Sequence, residues 1–173
     1  MTRSILLALI LPALAAVADE VGRDIHVDIG EVVESGEVVP VDGITSAGQP
    51  NEAALKVFAD SGYAVVIDMR GADEDRGMED FQGAVEATGM EYVAFPVVGK
   101  EAINFDTARQ LDELLRGVDG PVLLHCGSGN RVGAVLALRE SLAGADDESA
   151  IQFGKDAGLT RLEPVVREVL KDH

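Results

Sequence analysis

The sequence predicts an α/β fold with a central, mainly parallel sheet and helices on both faces. Three short, almost unbroken apolar runs are typical of strands buried on both sides: "AVVID" (64–68), "EYVAFPVV" (91–98) and "VLLHC" (122–126). A segment with apolar residues at helical spacing follows each run. Because this alternation is typical of a parallel sheet, functional side chains are expected at the carboxyl ends of the strands.

The segments before the first of these runs carry a weaker pattern. "VVESGEVVPV" (32–41) predicts at most an edge strand or a hairpin, and residues 44–50 read as a loop. A helix is expected from Asn51 up to the glycine at position 62, where a helix commonly stops. Its apolar face consists of Ala54, Leu55 and Phe58.

Further helices are predicted between and after the strands. Residues 78–89 and 103–117 place apolar side chains at helical spacing, so each segment is expected to lie against the sheet. Pro164 fits near the start of the final helix, because the first-turn amides have no intrahelical partner. The three helices expected after the last strand cover residues 132–144, 147–158 and 161–173.

The N-terminus has the pattern of a secretory signal peptide. Arg3 supplies a short charged region, residues 5–11 are apolar, and "AVA" ending at Ala18 offers a cleavage site between small residues. The apolar run is short for a membrane span, and an uncleaved anchor is the alternative. We therefore expect a periplasmic or secreted protein without stable membrane insertion after cleavage. The rest divides into an extension over residues 19–43 and an α/β domain over residues 44–173.

The net charge of −17 argues against several classes of partner. An acidic surface repels nucleic acids and anionic membranes at long range, and no basic patch with interleaved aromatic residues is present. The acidic runs "ADED" and "ADDES" are interpreted as solvated loops or helix caps. An anionic substrate would therefore need a local positive site. The three histidines are dispersed, so neither a metal site nor a cofactor is expected, and the sequence does not specify an oligomeric state.

The single cysteine of the chain lies in "VLLHCGSGNRVGAV" (122–135), where a strand turns into a helix. Gly127 and Gly129 permit the sharp turn that brings backbone amides together after Cys126. Such amides and a helix N-terminus favour an anion, and with Arg131 they would stabilise a nucleophilic thiolate. The alternatives are a buried, inert cysteine and an arginine that caps the helix or pairs with an acidic neighbour.

The motif "HCGSGNR", followed by "VGAVLAL", resembles the active-site loop of the dual-specificity and tyrosine-phosphatase-like superfamily. "ITSAGQPNEAALKVFADSGYAVVIDMR" upstream is similar to the opening of those domains, in particular the phosphatase-like domain of bacterial beta-lactamase-hydrolase-like proteins. The resemblance implies a cysteine-phosphatase-like fold, a phosphorylated or other oxyanion substrate, Cys126 as nucleophile and Arg131 as oxyanion ligand. It also implies that His125 orients the loop. The residues whose amides would cradle the anion are Gly127, Ser128, Gly129 and Asn130.

Two departures from the phosphatase pattern keep other functions open. Four residues rather than five separate Cys126 from Arg131, a length that resembles the persulfide-forming loop of rhodanese-type sulfurtransferases. Val132 occupies the position at which the family usually has Ser or Thr, whose hydroxyl helps the cysteine leave. The alternatives are therefore a sulfurtransferase and a catalytically weak module that binds an anion or a partner.

Residues around the loop provide candidates for supporting roles. The family has an aspartate as general acid after the second strand, and the candidates here are Glu101 and Asp106. Asp106 is also explained as a helix N-cap, and Glu101 as a solvated loop charge. Asp68 and Arg70 are expected either to line the site or to pair with each other. His125 is expected to support the loop rather than to transfer a proton.

Overall fold

The computed structural model describes residues 25–171, in which five parallel strands form one sheet with the order β1-β2-β5-β3-β4. The strands are β1 (His26–Val27), β2 (Ile44–Ala47), β3 (Val65–Asp68), β4 (Glu91–Ala94) and β5 (Val122–His125). The predicted α/β fold with a central parallel sheet is therefore confirmed. The expected signal peptide lies outside the described residues.

Seven helices surround this sheet within residues 25–171, and none of them is long and apolar enough to cross a membrane. A short 3-10 turn covers Lys100–Ala102. The helices are α1 (Ile29–Ser35), α2 (Glu52–Asp60), α3 (Phe81–Ala87), α4 (Phe105–Arg116), α5 (Asn130–Leu142), α6 (Asp147–Asp156) and α7 (Glu163–Lys171).

Two hydrophobic cores lie on opposite faces of the sheet, because successive strand residues point to opposite sides. In β5, Leu124 packs into the core formed with α4, α5, α6 and α7, whereas Leu123 packs into the core formed with α1, α2 and α3. Ile67 and Val66 of β3 divide in the same way. Both faces of these strands are covered, which explains why their sequences read as continuous apolar runs.

The N-terminal part of the fold differs from the sequence-based expectation. The segment predicted as an edge strand or hairpin begins inside α1, whose N-terminus is capped by the Asp28 carboxylate. β1 precedes this helix and pairs with β2. Residues 26–27 of the extension expected over residues 19–43 therefore form one strand of the sheet. β2 itself lies where a loop was predicted, because Thr45 and Ser46 interrupt its apolar pattern although both are buried.

Two boundaries near the carboxyl edge of the sheet also differ. The predicted strand over residues 91–98 ends at Ala94, two residues before Pro96, which has no amide to donate. The N-cap of α4 is Asn104, whose side chain accepts a hydrogen bond from the Thr107 amide at 2.8 Å. The cap expected at Asp106 was wrong, since this residue lies inside the helix and pairs with Arg109 at 2.6 Å.

The crossing of α5 and α6 brings the α6–α7 turn beside the end of β5. Gly133 makes this close approach possible, because a Cβ atom on it would lie 2.3 Å from the Leu159 amide and 2.4 Å from the Gly154 carbonyl. Ser46 in β2 donates a hydrogen bond to the Ala157 carbonyl at 2.7 Å. The turn is therefore held against both the helix layer and the sheet.

We predict that Gly133→Ala lowers the free energy of unfolding by about 1–3 kcal/mol, because a methyl group would push backbone atoms apart in a closely packed crossing. Urea unfolding followed by circular dichroism measures this change. Gly117→Ala is the matched control: a Cβ there meets only the Leu114 carbonyl at 3.5 Å, so its effect should stay within about 1 kcal/mol. Equal stability of the two variants would contradict the tight crossing.

Candidate active site

The cysteine loop connects the end of β5 to the start of α5, and Cys126 lies directly after the strand with 1% of its surface exposed. Gly129 caps the helix with a φ of +78°, a conformation that favours glycine. A Cβ on Gly129 would also lie 2.2 Å from the His26 ring. The turn therefore requires glycine at this position both for its backbone conformation and for the contact with β1.

A pocket of about 320 Å³ opens over this loop. It brings together Cys126 and Arg131, as the motif predicts, and adds Arg161 from the turn between α6 and α7. The first-turn amides of α5 have no intrahelical partner and lie at the same end of the helix. The pocket is lined by Cys126, Gly127, Ser128, Asn130, Arg131 and Arg161. This arrangement can bind an oxyanion next to a thiol.

The Arg131 guanidinium is held by an acidic side chain that the sequence analysis did not single out. Its two terminal nitrogens each donate to one carboxylate oxygen of Glu74 at 2.6 Å. One of them also lies 3.2 Å from the backbone carbonyls of Met69 and Val97. Arg131 thus pairs with an acidic neighbour, the alternative interpretation of this residue, and lines the pocket as well.

The pairing determines the charge state of Glu74. Hydrogen bonds from Arg131 lower the pKa of the Glu74 carboxyl to about 2, although partial burial opposes the shift. The Gly71 amide also donates to this carboxylate, at 2.8 Å. Glu74 is therefore ionised near neutral pH and suited to positioning Arg131, not to donating a proton. It belongs to the "ADED" run, which was interpreted as a solvated loop or cap.

Asp68 and Arg70 lie beside the pocket without lining it. The buried Asp68 carboxylate accepts hydrogen bonds from Arg76 at 2.7 Å and from the Tyr92 hydroxyl at 3.0 Å. The Arg70 side chain instead donates to Gln49 at 2.9 Å and pairs with Glu74 at 3.3 Å, and its backbone amide donates to Asp68. The expected Asp68–Arg70 ion pair is wrong, because Arg76 reaches the buried carboxylate from the following loop.

His125 lies behind the loop and is fully buried, with its ring centroid 5.0 Å from that of Phe81. Its Nε2 atom is 3.4 Å from an Asp68 carboxylate oxygen. Burial lowers the pKa of His125 to about 4, although the nearby Asp68 charge opposes the shift. The imidazole is therefore neutral near neutral pH, and it does not line the pocket.

Neither of the two candidate general acids, Glu101 and Asp106, lines the pocket. Glu101 is exposed in the 3-10 turn over residues 100–102, and the exposed Asp106 is paired with Arg109. The described residues that line the pocket include no carboxyl group. The residue after Arg131 is Val132, which has no hydroxyl, and its side chain is completely buried in the core.

Asn130 connects the cysteine loop to the turn that carries Arg161. Its side-chain oxygen accepts hydrogen bonds from the Thr160 amide at 2.8 Å, the Thr160 hydroxyl at 3.1 Å and the Leu162 amide at 3.3 Å. These contacts place Arg161 at the pocket. No local motif signals this residue, because it reaches the site only through the packing of α6 and α7.

Metal chemistry has no evident ligand set in the part of the chain that the structure describes. No group of three or more His, Cys, Asp or Glu side chains within residues 25–171 has the arrangement needed to hold a metal ion.

Sequence comparison links the chain to phosphatases. A family model described as "DSP-PTPase phosphatase fused to NAD+ Kinase" matches residues 34–156. The beta-lactamase hydrolase-like protein of Agrobacterium fabrum is 32% identical over 120 residues, which cover 67% of this chain and 28% of that protein. The corresponding protein of Xylella fastidiosa is 32% identical over 101 residues, which cover 57% of this chain and 23% of that protein. The chain thus spans about a quarter of the length of these curated relatives.

Solved structures share the fold at low sequence identity. A phosphatase-like protein of Neisseria meningitidis aligns with a TM-score of 0.65 and 21% identity, over 76% of this chain and 94% of that one. TpbA of Pseudomonas aeruginosa, solved in complex with phosphotyrosine, aligns with a TM-score of 0.54 and 19% identity. The alignment covers 76% of this chain and 80% of TpbA. These similarities confirm the cysteine-phosphatase-like architecture.

We predict that His125 makes stability depend on pH between about 4 and 6.5. Its pKa is about 4 in the folded protein and near 6.5 when unfolded, so only the unfolded chain binds this proton in that window. Stability should fall as the pH drops from about 6.5 towards 4, by roughly 3 kcal/mol from this group. Urea unfolding at several pH values measures the slope. The His125→Gln variant should show a shallower slope; an identical slope would contradict the assignment.

Proposed function

Because the chain belongs to the family described as "DSP-PTPase phosphatase fused to NAD+ Kinase", we propose that it is a cysteine-dependent phosphatase. Its substrate is a phosphoester, and Cys126 is the nucleophile. The observation that supports this proposal best is the shared pocket, in which Cys126, Arg131 and the N-terminus of α5 lie together. We also propose export, on the pattern of the first 18 residues.

The proposed reaction has two steps. The Cys126 thiolate attacks phosphorus, the bond from phosphorus to the ester oxygen breaks, and the leaving alkoxide or phenoxide takes a proton from water to become the alcohol. Water then attacks the phosphocysteine, which releases inorganic phosphate and the thiolate. Loop amides and Arg131 stabilise the charge on the phosphoryl oxygens in both transition states. Glu74 holds the guanidinium in place through its two hydrogen bonds.

Sulfur transfer is the second candidate, and the four-residue spacing between Cys126 and Arg131 supports it. In this reaction the thiolate attacks the outer sulfur of thiosulfate, the sulfur–sulfur bond breaks, and sulfite leaves. Cyanide then removes the bound sulfur as thiocyanate and regenerates the thiolate. The same amides and Arg131 would stabilise the anionic groups, so the two candidates differ in substrate and not in machinery.

We predict that Cys126→Ser lowers aryl phosphate hydrolysis roughly 10³-fold or more, because it removes the nucleophile. Arg131→Ala should lower kcat about 10²- to 10³-fold through the loss of charge stabilisation. Steady-state kinetics with 4-nitrophenyl phosphate provide the measurement, and circular dichroism checks that each variant is folded. Arg116→Gln, at the opposite edge of the sheet, is the control and should retain full activity.

Parallel assays of thiosulfate–cyanide sulfur transfer distinguish the alternatives. Hydrolysis that survives Cys126→Ser contradicts a cysteine-dependent phosphatase. Cys126-dependent sulfur transfer without hydrolysis establishes the second candidate. Oxyanion binding without either activity identifies a binding module.

A separate prediction concerns the leaving group. Because no carboxyl group lines the pocket among the described residues, we predict that hydrolysis proceeds without the roughly 10²- to 10⁴-fold assistance that a general acid provides. Hydrolysis should therefore fall steeply from 4-nitrophenyl phosphate to phenyl phosphate. Glu101→Gln and Asp106→Asn should change neither rate by more than about twofold. A selective loss of phenyl phosphate hydrolysis in one of these variants would identify that residue as the acid.

A further inference from the structure

Arg161 is exceptional among the cationic side chains of this acidic protein. Nearly all lysines and arginines within residues 25–171 form an ion pair with Asp or Glu. The two exceptions in this part of the chain are Lys100 and Arg161, and only Arg161 lines the pocket above Cys126. Arg161 is also exposed, so its guanidinium is accessible to a ligand.

The backbone beneath Arg161 is held in place rather than left as a loose turn. The Asn130 side chain accepts hydrogen bonds on both sides of it, from Thr160 and from Leu162. Asn130 itself begins α5 and belongs to the cysteine loop. One side chain thus holds the backbone at Arg161 against the helix start that carries Arg131, which lowers the entropic cost of using both arginines for one ligand.

The two arginines that line the pocket differ in whether an acidic side chain pairs with them. The positive charge of Arg131 is already opposed by Glu74 at 2.6 Å, whereas no acidic side chain within the described residues pairs with Arg161. In the proposed mechanism, the loop amides and Arg131 bind the scissile phosphoryl group. Arg161 comes from a different element and adds a separate charge to the pocket lining.

We propose that Arg161 selects substrates that carry a second anionic group, a carboxylate or another phosphate, close to the scissile phosphoryl group. This inference rests on the proposed phosphatase function and specifies its substrate class. Arginine suits the role because its planar guanidinium binds carboxylate and phosphate with two hydrogen bonds. On a chain with a net charge of −17, this local charge also offsets the repulsion of a doubly anionic substrate.

The test compares two aryl phosphates that differ only in charge, 3-carboxyphenyl phosphate and 3-carbamoylphenyl phosphate. Calorimetry in the hydrolysis-deficient Cys126→Ser background measures their Kd with and without Arg161→Gln. We expect Arg161→Gln to weaken binding of the carboxylate compound about 3- to 10-fold and of the carboxamide by less than about twofold. In the active protein, kcat/KM should show the same selective loss.

Arg116→Gln serves as the control, since it also removes an exposed arginine charge, but at the opposite edge of the sheet. It should leave both Kd values unchanged. An equal loss for both compounds in Arg161→Gln would mean that Arg161 acts on the phosphoryl group or by long-range attraction, and would overturn the proposal. No loss for either compound would overturn it as well. Failure of both compounds to bind when Arg161 is present would instead refute the phosphatase function itself.

Discussion

The ion pair between Arg131 and Glu74 connects the loops that follow three adjacent strands. Arg131 extends from the start of α5 after β5, Glu74 lies in the loop after β3, and the guanidinium also reaches the Val97 carbonyl after β4. Because parallel strands bring their carboxyl ends to one edge, a single arginine can join all three loops. The pocket above Cys126 depends on this connection, which keeps a cationic group beside a buried thiol.

A second charged group stabilises the same edge from below. Asp68 is fully buried, and an isolated carboxylate there would be costly. Hydrogen bonds from Arg76, Tyr92 and the Arg70 amide compensate for that cost. These contacts fold the loop after β3 back against the sheet, so that Glu74 faces Arg131. Substitution of Asp68 would therefore affect the pocket through the loop rather than through direct contact with a ligand.

The acidic surface of the protein limits how strongly an anion can be attracted to the pocket from a distance. Most cations of the described residues are neutralised by nearby carboxylates, so long-range attraction contributes little to the binding of an anion. For the proposed substrate, recognition would come from short-range contacts with backbone amides, Arg131 and Arg161. Such contacts discriminate by geometry, which agrees with a substrate class defined by the placement of two charges rather than by total charge.

The sequence by itself determined the strands and helices whose apolar residues repeat at a regular spacing, and it placed Cys126 and Arg131 together in one continuous motif. β3, β5 and the helices from α4 to α7 were predictable because their apolar residues repeat with the spacing of buried strands or amphipathic helices. The grouping of Cys126 and Arg131 was predictable because both lie on one turn. β1 was missed because it has only two residues, and β2 was missed because the buried Thr45 and Ser46 interrupt its apolar pattern.

Only the tertiary structure decided which charges meet. Glu74, Arg76 and Arg161 look like ordinary solvated residues in the sequence, and the Asp68–Arg70 pair and the Asp106 cap were the locally plausible choices. An ion pair depends on distances of a few ångströms between side chains that are far apart along the chain, and local spacing carries no information about those distances. The packing of α5, α6 and the loop after β3 sets them, and it thereby determines which arginine is held by a carboxylate and which remains available to a ligand.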